Sequence, residues 1–592
     1  MRIKLLLHIV IIFIAFPTKA QYIVKNGTEL LNLKKLPQEK AYLDHTGSLL
    51  FSGEYIHYAF YGFNTQSNKL TNISKIGYVA LVDENQNYVF EHKIKLDKGL
   101  GQGDFFITAE IPSGKYKLLG YTQWMKNSGL TQIFKDDIVI VNPYMENQSN
   151  LLEVSDNKID GKAQSYRRVV LDSSMITISI DKNRYRQRQK VNLSITNYKG
   201  NLAYGSYTIK VQKKEELSIE PPIKAVEYAT SYLNVDKQIP QKIGDSLFLP
   251  EQRGELFFGN VRNVATGQPV KDIPIILSIP GKEFLLKFSQ TDEEGNFYSY
   301  LRKNYKNPVA VVQIEEETER YEIQKGTVSK LNLDGLTYSN FRLSKEQYEY
   351  IQERSILNQI ENQFFTAKPD SVLQGETTNT FGGGNPEIII LDEYTRFPTF
   401  GETLVEVVAN AGYRNGGTEN DYIRVAQDFK TFNEDYNSFP AIVLIDGVFI
   451  RNHEKIRALD ARRIEKVSLI RDQFRLGGKD YQGLVAVETF KGDFWESYDT
   501  MNSLVVRFEQ PVAKKNYYKQ YYSLENSEFS RIPDYRRLLF WKPQLMIKNN
   551  SYDFEFFTSD LEGEYEIILN GFTSYGKPIT VKKTFYVSKD VN

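Results

Sequence analysis

Four histidines beyond the first twenty residues are the first candidates for metal or acid–base chemistry: His45, His57, His92 and His453. A helical metal site needs ligands at i and i+4, because that spacing puts two side chains on one face. None of the four is followed by His or Glu three or four residues on, so each reads as a surface or half-buried side chain. The chain has no Cys, which excludes disulfides, thiolate zinc sites, iron–sulfur clusters and a thiol nucleophile. It contains no Gly-x-Ser-x-Gly elbow and no phosphate loop ending in Gly-Lys-Ser/Thr. Gly382-Gly383-Gly384 precedes a strand-like run, so it lacks the helix dipole of a phosphate cradle and reads as a linker. Asp292-Glu293-Glu294-Gly295 lacks the alternating oxygen ligands and distal Glu of a calcium loop and reads as a β-turn. These residues predict no enzyme, no cofactor and no metal site.

Binding chemistry is better represented. Tyr517, Tyr518, Tyr521 and Tyr522 fall in one short segment beside Lys514, Lys515 and Lys519. Tyr covers area at low entropic cost and is favoured at interfaces, and its ring face stacks on sugars. The segment is therefore a candidate interaction surface for a protein or a glycan. The alternative is a strap packing its rings on the preceding domain, since Tyr is also a common strand residue. Trp124 and Trp541 read as core.

The elements that must hold these residues follow from composition and period. The chain has 592 residues, 74 basic and 74 acidic side chains, which gives several domains and argues against a nucleic-acid partner, which would select a basic face. Aromatic residues make up 13%, which favours strands. Residues 1–20 read as a secretory signal peptide: Arg2 and Lys4, then an apolar run from Leu5 to Phe16, then Thr18-Lys19-Ala20. That run is shorter than the ~20 residues a membrane-spanning helix needs, so the expectation is an exported chain with no transmembrane segment of its own.

Apolar/polar alternation recurs up to about residue 330, for example in Tyr55–Phe60, Tyr78–Val82, Met175–Ile180, Val191–Ile195 and Ser206–Val211, with turn residues between the runs. That pattern predicts β-sandwiches. Ser344-Lys345-Glu346-Gln347 is a capping box, and Ile356, Leu357, Ile360 and Phe364 beyond it share one helical face. From 387 onward the signals mix. Ile388–Leu391 and Ala441–Ile445 predict buried strands, the second ended by the turn Asp446-Gly447, and Leu404, Val407 and Val408 suit a short helix. The segment 503–587 returns to pure β.

Several motifs, in a fixed order, resemble a composite family of Bacteroidota envelope proteins. Ala41-Tyr42-Leu43-Asp44-His45, Ser52-Gly53-Glu54, Gly101-Gln102-Gly103-Asp104-Phe105 and Tyr121-Thr122-Gln123-Trp124 resemble a macroglobulin-type sandwich. Arg253-Gly254, Gly267-Gln268-Pro269-Val270 and Thr291–Phe297 resemble a carboxypeptidase-regulatory-like, transthyretin-type domain. Pro440–Val448, Ile464-Glu465-Lys466-Val467 and Gly483–Thr489 resemble the plug domain of TonB-dependent receptors, with Asp446, Gly447 and Gly483 as its motif residues. Pro533-Asp534-Tyr535-Arg536-Arg537 with Phe540-Trp541-Lys542-Pro543 resembles the closing sandwich of the same family.

The resemblance implies a mainly β chain: a string of Ig/macroglobulin-like and transthyretin-like β-sandwiches plus one small α+β plug-like domain. The expected boundaries are 1–20 (signal peptide), 21–146 and 147–225 (macroglobulin-type), 226–330 (transthyretin-type), 331–386 (amphipathic helix and linker), 387–498 (plug-like) and 499–592 (Ig-like). The missing Cys removes the thioester of a macroglobulin protease trap. The plug-like part comes without a receptor barrel, since ~95 residues at ~10 per strand fall far short of about 22 strands. The expected function is a non-enzymatic scaffold or accessory subunit of an outer-membrane complex, in the periplasm and partnered by a barrel protein. The alternative is a glycan- or ligand-binding protein for nutrient capture.

Overall fold

The computed structural model describes residues 22–146, 148, 151–152, 170–233, 242–316, 318–373, 384–415, 421–428, 438–498, 503–522 and 531–589. They are mainly strand, as the alternation predicts. Two compact units result, the larger from 22–255, 331–376 and 509–592, the smaller from 256–330 and 377–508. Among the described residues no helix is long and apolar enough to cross a membrane.

The larger unit holds two sandwiches. In the first, a five-stranded sheet runs in the order Leu49–Phe51, Phe134–Val141, Gly114–Tyr121, Ile76–Asp83, Tyr88–Lys95. Its partner sheet is built on Tyr55–Asn64, flanked by Glu39–His45 and Leu100–Phe106. Leu43, Phe60, Leu81 and Leu118 lie in the core between them.

The second sandwich corrects the expected domain string. Segments 147–225 and 499–592 were to fold as separate domains, yet they interleave. Lys190–Asn197 pairs with Ser551–Phe557, and Gly205–Lys213 lies between Leu538–Ile547 and Gly563–Thr573. The physical reason is edge pairing: the four strands of 176–213 cannot close a sandwich alone, and the C-terminal strands cover their open edges. The early part of the C-terminal segment goes elsewhere, because Ser503–Arg507 pairs with Val309–Ile314 in the smaller unit.

The alternation of Ser206–Val211 has a further consequence. Tyr207, Ile209 and Val211 enter the core of the second sandwich. Ser206, Thr208 and Lys210 are buried as well, on a polar seam between the two sandwiches. There Tyr61 and Thr208 hydroxyls bond at 2.8 Å, Lys210 Nζ meets Asp44 at 3.1 Å, and Asn570 Nδ2 donates to the Tyr42 hydroxyl at 2.6 Å.

In the smaller unit a pair of sheets carries Glu255–Asn263, Asn296–Leu301 and Tyr321–Lys325 on one side, and Leu285–Gln290, Pro274–Ile279, Val309–Ile314 and Ser503–Arg507 on the other. A mixed sheet follows, ordered Glu387–Ile390, Ile464–Leu476, Lys479–Thr489, Ile442–Ile445, Val448–Phe449. The helix Phe400–Glu406 packs Phe400 and Leu404 onto one of its faces. Ile442–Ile445 is buried as expected. Ile388–Leu391 is not a buried strand: it sits at the sheet edge, Ile388 is 55% and Ile390 43% exposed, and only Ile389 and Leu391 are covered.

The capping box forms at Ser344 and Gln347, and the helix Tyr348–Gln363 follows. Its buried face is not the apolar one. Arg354, Ser355 and Asn358 are buried, while Ile356 is exposed. Ion pairing, described below, overrides the apolar stripe. The linker residues 374–383 lie outside the described set, and Gly382 and Gly383 with them.

Candidate functional site

Asp446, Gly447 and Gly483, the residues of the expected plug motif, are part of the smaller unit's framework. Asp446 and Gly447 both have positive φ (49° and 84°) and turn Ile445 into Val448. The Asp446 carboxylate is buried and accepts from Thr489 N (2.7 Å), Thr489 Oγ1 (2.7 Å) and Phe494 N (3.1 Å). A Cβ on Gly447 would lie 2.3 Å from Phe284 Cβ, and one on Gly483 (φ 82°) would lie 2.3 Å from Val425 Cβ. Close packing and left-handed backbone both select Gly here. This turn therefore packs on its neighbours rather than presenting a side chain outward.

The tyrosine segment belongs to the larger unit and is a strap. Lys515 Nζ pairs with Asp104 at 3.0 Å, and its backbone carbonyl accepts from Gln102 Nε2. Tyr517 donates to Asp104 (3.3 Å) and meets the His57 ring edge-on at 5.0 Å. Tyr518 N donates to Asp370 Oδ1 at 2.8 Å. Tyr521 and Tyr522 both meet Phe557 edge-on, and Tyr522 donates to Asp534 at 2.7 Å. Only Lys514 and Tyr521 of the six candidate residues are exposed. Burial, then the Asp104 charge, push the Tyr517 phenol far above its ordinary range.

Tyr517 and Tyr518 also form part of the wall of a cavity of about 510 Å³ in the larger unit. Its other walls come from 46–57, 212–224, 354–370, 535–541 and 566–582, with Leu171. The volume is that of small-ligand sites. Tyr55, His57, Phe365, Tyr535 and Trp541 add aromatic lining. Burial lowers the His57 imidazole to about 4, so it is neutral at physiological pH.

Most charges in this wall are spent on one another. Arg354 grips Glu54 with Nε (2.8 Å) and Nη2 (2.9 Å) and reaches Glu215 with Nη1 (2.8 Å). Asn358 Nδ2 adds a bond to Glu54 at 2.9 Å, and Asn362 Nδ2 donates to Gly53 O at 2.9 Å. The helix is thus latched to the Ser52-Gly53-Glu54 turn. Burial alone would raise the Glu54 and Glu215 carboxyls, but Arg354, Arg537 and the hydrogen bonds around them together outweigh it and hold both low, Glu215 at about 2. Arg536 holds Asp534 (2.6 and 2.7 Å), Lys368 pairs with Glu361, and Lys582 with Glu566.

Two cations differ. The Arg537 side chain makes no hydrogen bond among the described residues, and its nearest carboxylate, Glu215, stands at 3.7 Å. Lys224 is 2% exposed and has no acidic partner within ion-pair distance among the described residues. Burial, then Lys210, lower its ammonium to about 7.

Sequence reasoning missed Glu54, Glu215, Lys224 and Arg354 as members of one wall. Glu54 and Arg537 stand inside motifs read for fold, whereas Arg354 and Lys224 carry no local signal. The histidines do not converge: His45 Nε2 pairs with Asp136 at 3.0 Å, His92 bonds the Tyr58 hydroxyl at 2.8 Å, and His453 Nδ1 accepts from Ile423 N at 2.9 Å. The 292–295 turn forms, with Gly295 N donating to Asp292 O at 2.9 Å.

No protein-family model and no curated protein matches the chain. Among solved structures it is similar to Salmonella alpha-2-macroglobulin reacted with methylamine, with a TM-score of 0.23 and 7% identity, over 96% of this chain and 40% of that one. It is similar to Escherichia coli alpha-2-macroglobulin in its native conformation, with a TM-score of 0.23 and 8% identity, over 94% and 40%. The Yersinia pseudotuberculosis adhesin InvE gives 0.12 and 9%, over 49% and 59%. The chain spans about 40% of the length of these macroglobulins.

Proposed function

We propose that the chain is an exported, non-enzymatic docking protein of the bacterial envelope, a scaffold or accessory subunit that engages an outer-membrane barrel protein or its complex. The observation that carries this reading is the edge strand Glu387–Ile390 of the plug-like domain. Among the described residues it pairs on one side only, with Ile464–Leu476. It presents Ile388 and Ile390 to solvent on one face. Unpaired strand edges with exposed β-branched side chains are templates for strand addition. Several such faces on linked domains would act together through effective concentration.

The test is a pull-down of tagged full-length protein from gently solubilised envelopes, with wild type beside Ile388→Lys/Ile390→Lys. Stoichiometric recovery of a barrel protein, lost in the double variant, is the expected result. Recovery of a soluble monomer alone would sink the docking reading. A second reading, ligand capture, is favoured by the cavity of the larger unit with its aromatic wall.

A further inference from the structure

The cavity wall is not uniformly satisfied. Arg354, Arg536, Lys368 and Lys582 each have a carboxylate partner within the larger unit. Arg537 and Lys224 do not, at hydrogen-bond distance, among the described residues. Glu215, the acid nearest to Arg537, already accepts from Arg354 and from the Tyr350 hydroxyl, both at 2.8 Å. A mostly buried guanidinium without an acceptor is costly, and its planar fork matches a carboxylate. A carboxylate bound in the cavity would supply the acceptor that Arg537 Nη2 lacks among the described residues.

The remaining lining narrows its chemistry. Asp370, Glu361 and Glu566 also face the cavity, and their carboxylates repel a ligand of high negative charge while accepting hydroxyl hydrogen bonds. Trp541, Tyr517 and Tyr535 supply flat apolar faces, against which the C–H side of a sugar ring packs. One negative charge, several hydroxyls and one apolar face together describe a uronic acid.

We propose that the cavity of the larger unit binds a carboxylate-bearing sugar, a uronic acid or a short chain of them, with Arg537 and Lys224 taking the carboxylate end and the Trp541 side covering the ring. The inference rests on the ligand-capture reading and gives it a substrate class. No bond is made or broken.

The test is isothermal calorimetry and tryptophan-fluorescence titration of the full chain with galacturonate, digalacturonate, galactose and acetate. Galacturonate or digalacturonate should bind saturably and change the fluorescence, while galactose and acetate should be at least tenfold weaker. Arg537→Gln should weaken the uronate at least tenfold with an unchanged circular-dichroism spectrum. Trp541→Phe should lose the fluorescence change but keep calorimetric heat. Equal binding of galactose would overturn the carboxylate assignment and leave ligand capture standing. Equal binding of acetate would reduce the site to a plain anion site. Absence of heat with all four probes would overturn both the uronate assignment and the capture reading.

Discussion

Replacing Arg354 with Met keeps the length of the side chain and removes its charge. In the native protein the guanidinium is 6% exposed and serves Glu54 and Glu215 at once, with its carbon 4.2 Å from the centre of the Phe51 ring. The variant leaves two half-buried carboxylates without their shared cation, with Arg537 still 3.7 Å from Glu215. Removing one partner from a buried ion network costs about 3–5 kcal/mol, because the remaining charges stay desolvated. Glu54→Gln is milder, since Arg354 retains Glu215, and Arg354→Met/Glu54→Gln should recover part of the loss.

The pH dependence separates this account from simple packing loss. In the wild type both glutamates are held below their ordinary range. Their contribution is therefore present above about pH 4.3 and is lost as pH falls toward 2. In the variant burial is opposed only by Arg537 and the remaining hydrogen bonds, so both carboxyls should rise and the deficit should shrink between pH 7 and pH 5 as they protonate. The assay is denaturant unfolding of the full chain, followed by near-ultraviolet circular dichroism at both pH values. A deficit below 1 kcal/mol at pH 7, or one that stays constant with pH, would refute the latch.

Gly447→Ala should cost about 2–4 kcal/mol, from left-handed backbone and overpacking against Phe284, read as a fall in the thermal midpoint. Gly483→Ala should do likewise against Val425, and wild-type midpoints in both would show that these turns are loosely packed. Lys224→Met should stabilise the larger unit at neutral pH. The unfolded amine holds its proton up to about pH 10.4, but the folded one only to about 7, where burial, Lys210, Asp44 and Glu566 set its balance. Between those values the unfolded state binds more protons, so wild-type stability from this group rises with pH. The gain in Lys224→Met should therefore be largest at pH 6–7 and fade toward pH 10. A gain that does not vary with pH would show that Lys224 is not the group responsible.

Period and turn chemistry made the strands legible because they are local. Ile176–Ile180, Lys190–Asn197 and Gly205–Lys213 stand where alternation puts them. Which strand pairs with which is a non-local question, and there the reading failed: nothing in 190–197 points to 551–557. The same limit applies to single residues. An Ile at 388 scores as buried wherever strands are counted by hydrophobicity, and only the edge position of 387–390 leaves it in water. The Ile356–Phe364 stripe looked like the docking face of a helix, but two acids from 54 and 215 outbid it for Arg354.

The candidate site shows why such a wall escapes sequence reading. The tyrosine run was visible because its members are neighbours in the chain. Its contribution is nonetheless two rings, Tyr517 and Tyr518, in a wall otherwise supplied by several distant stretches. What distinguishes the wall is how its cations are partnered: Arg354, Arg536 and Lys368 hold carboxylates closely, while Arg537 and Lys224 have none at hydrogen-bond distance among the described residues. Arg536 and Arg537 are adjacent and chemically identical in the sequence. One is consumed by Asp534, and the other stands 3.7 Å from an acid already committed elsewhere. That difference exists only after the second sandwich closes from both ends of the chain, and it is the difference on which recognition of an anionic ligand would depend.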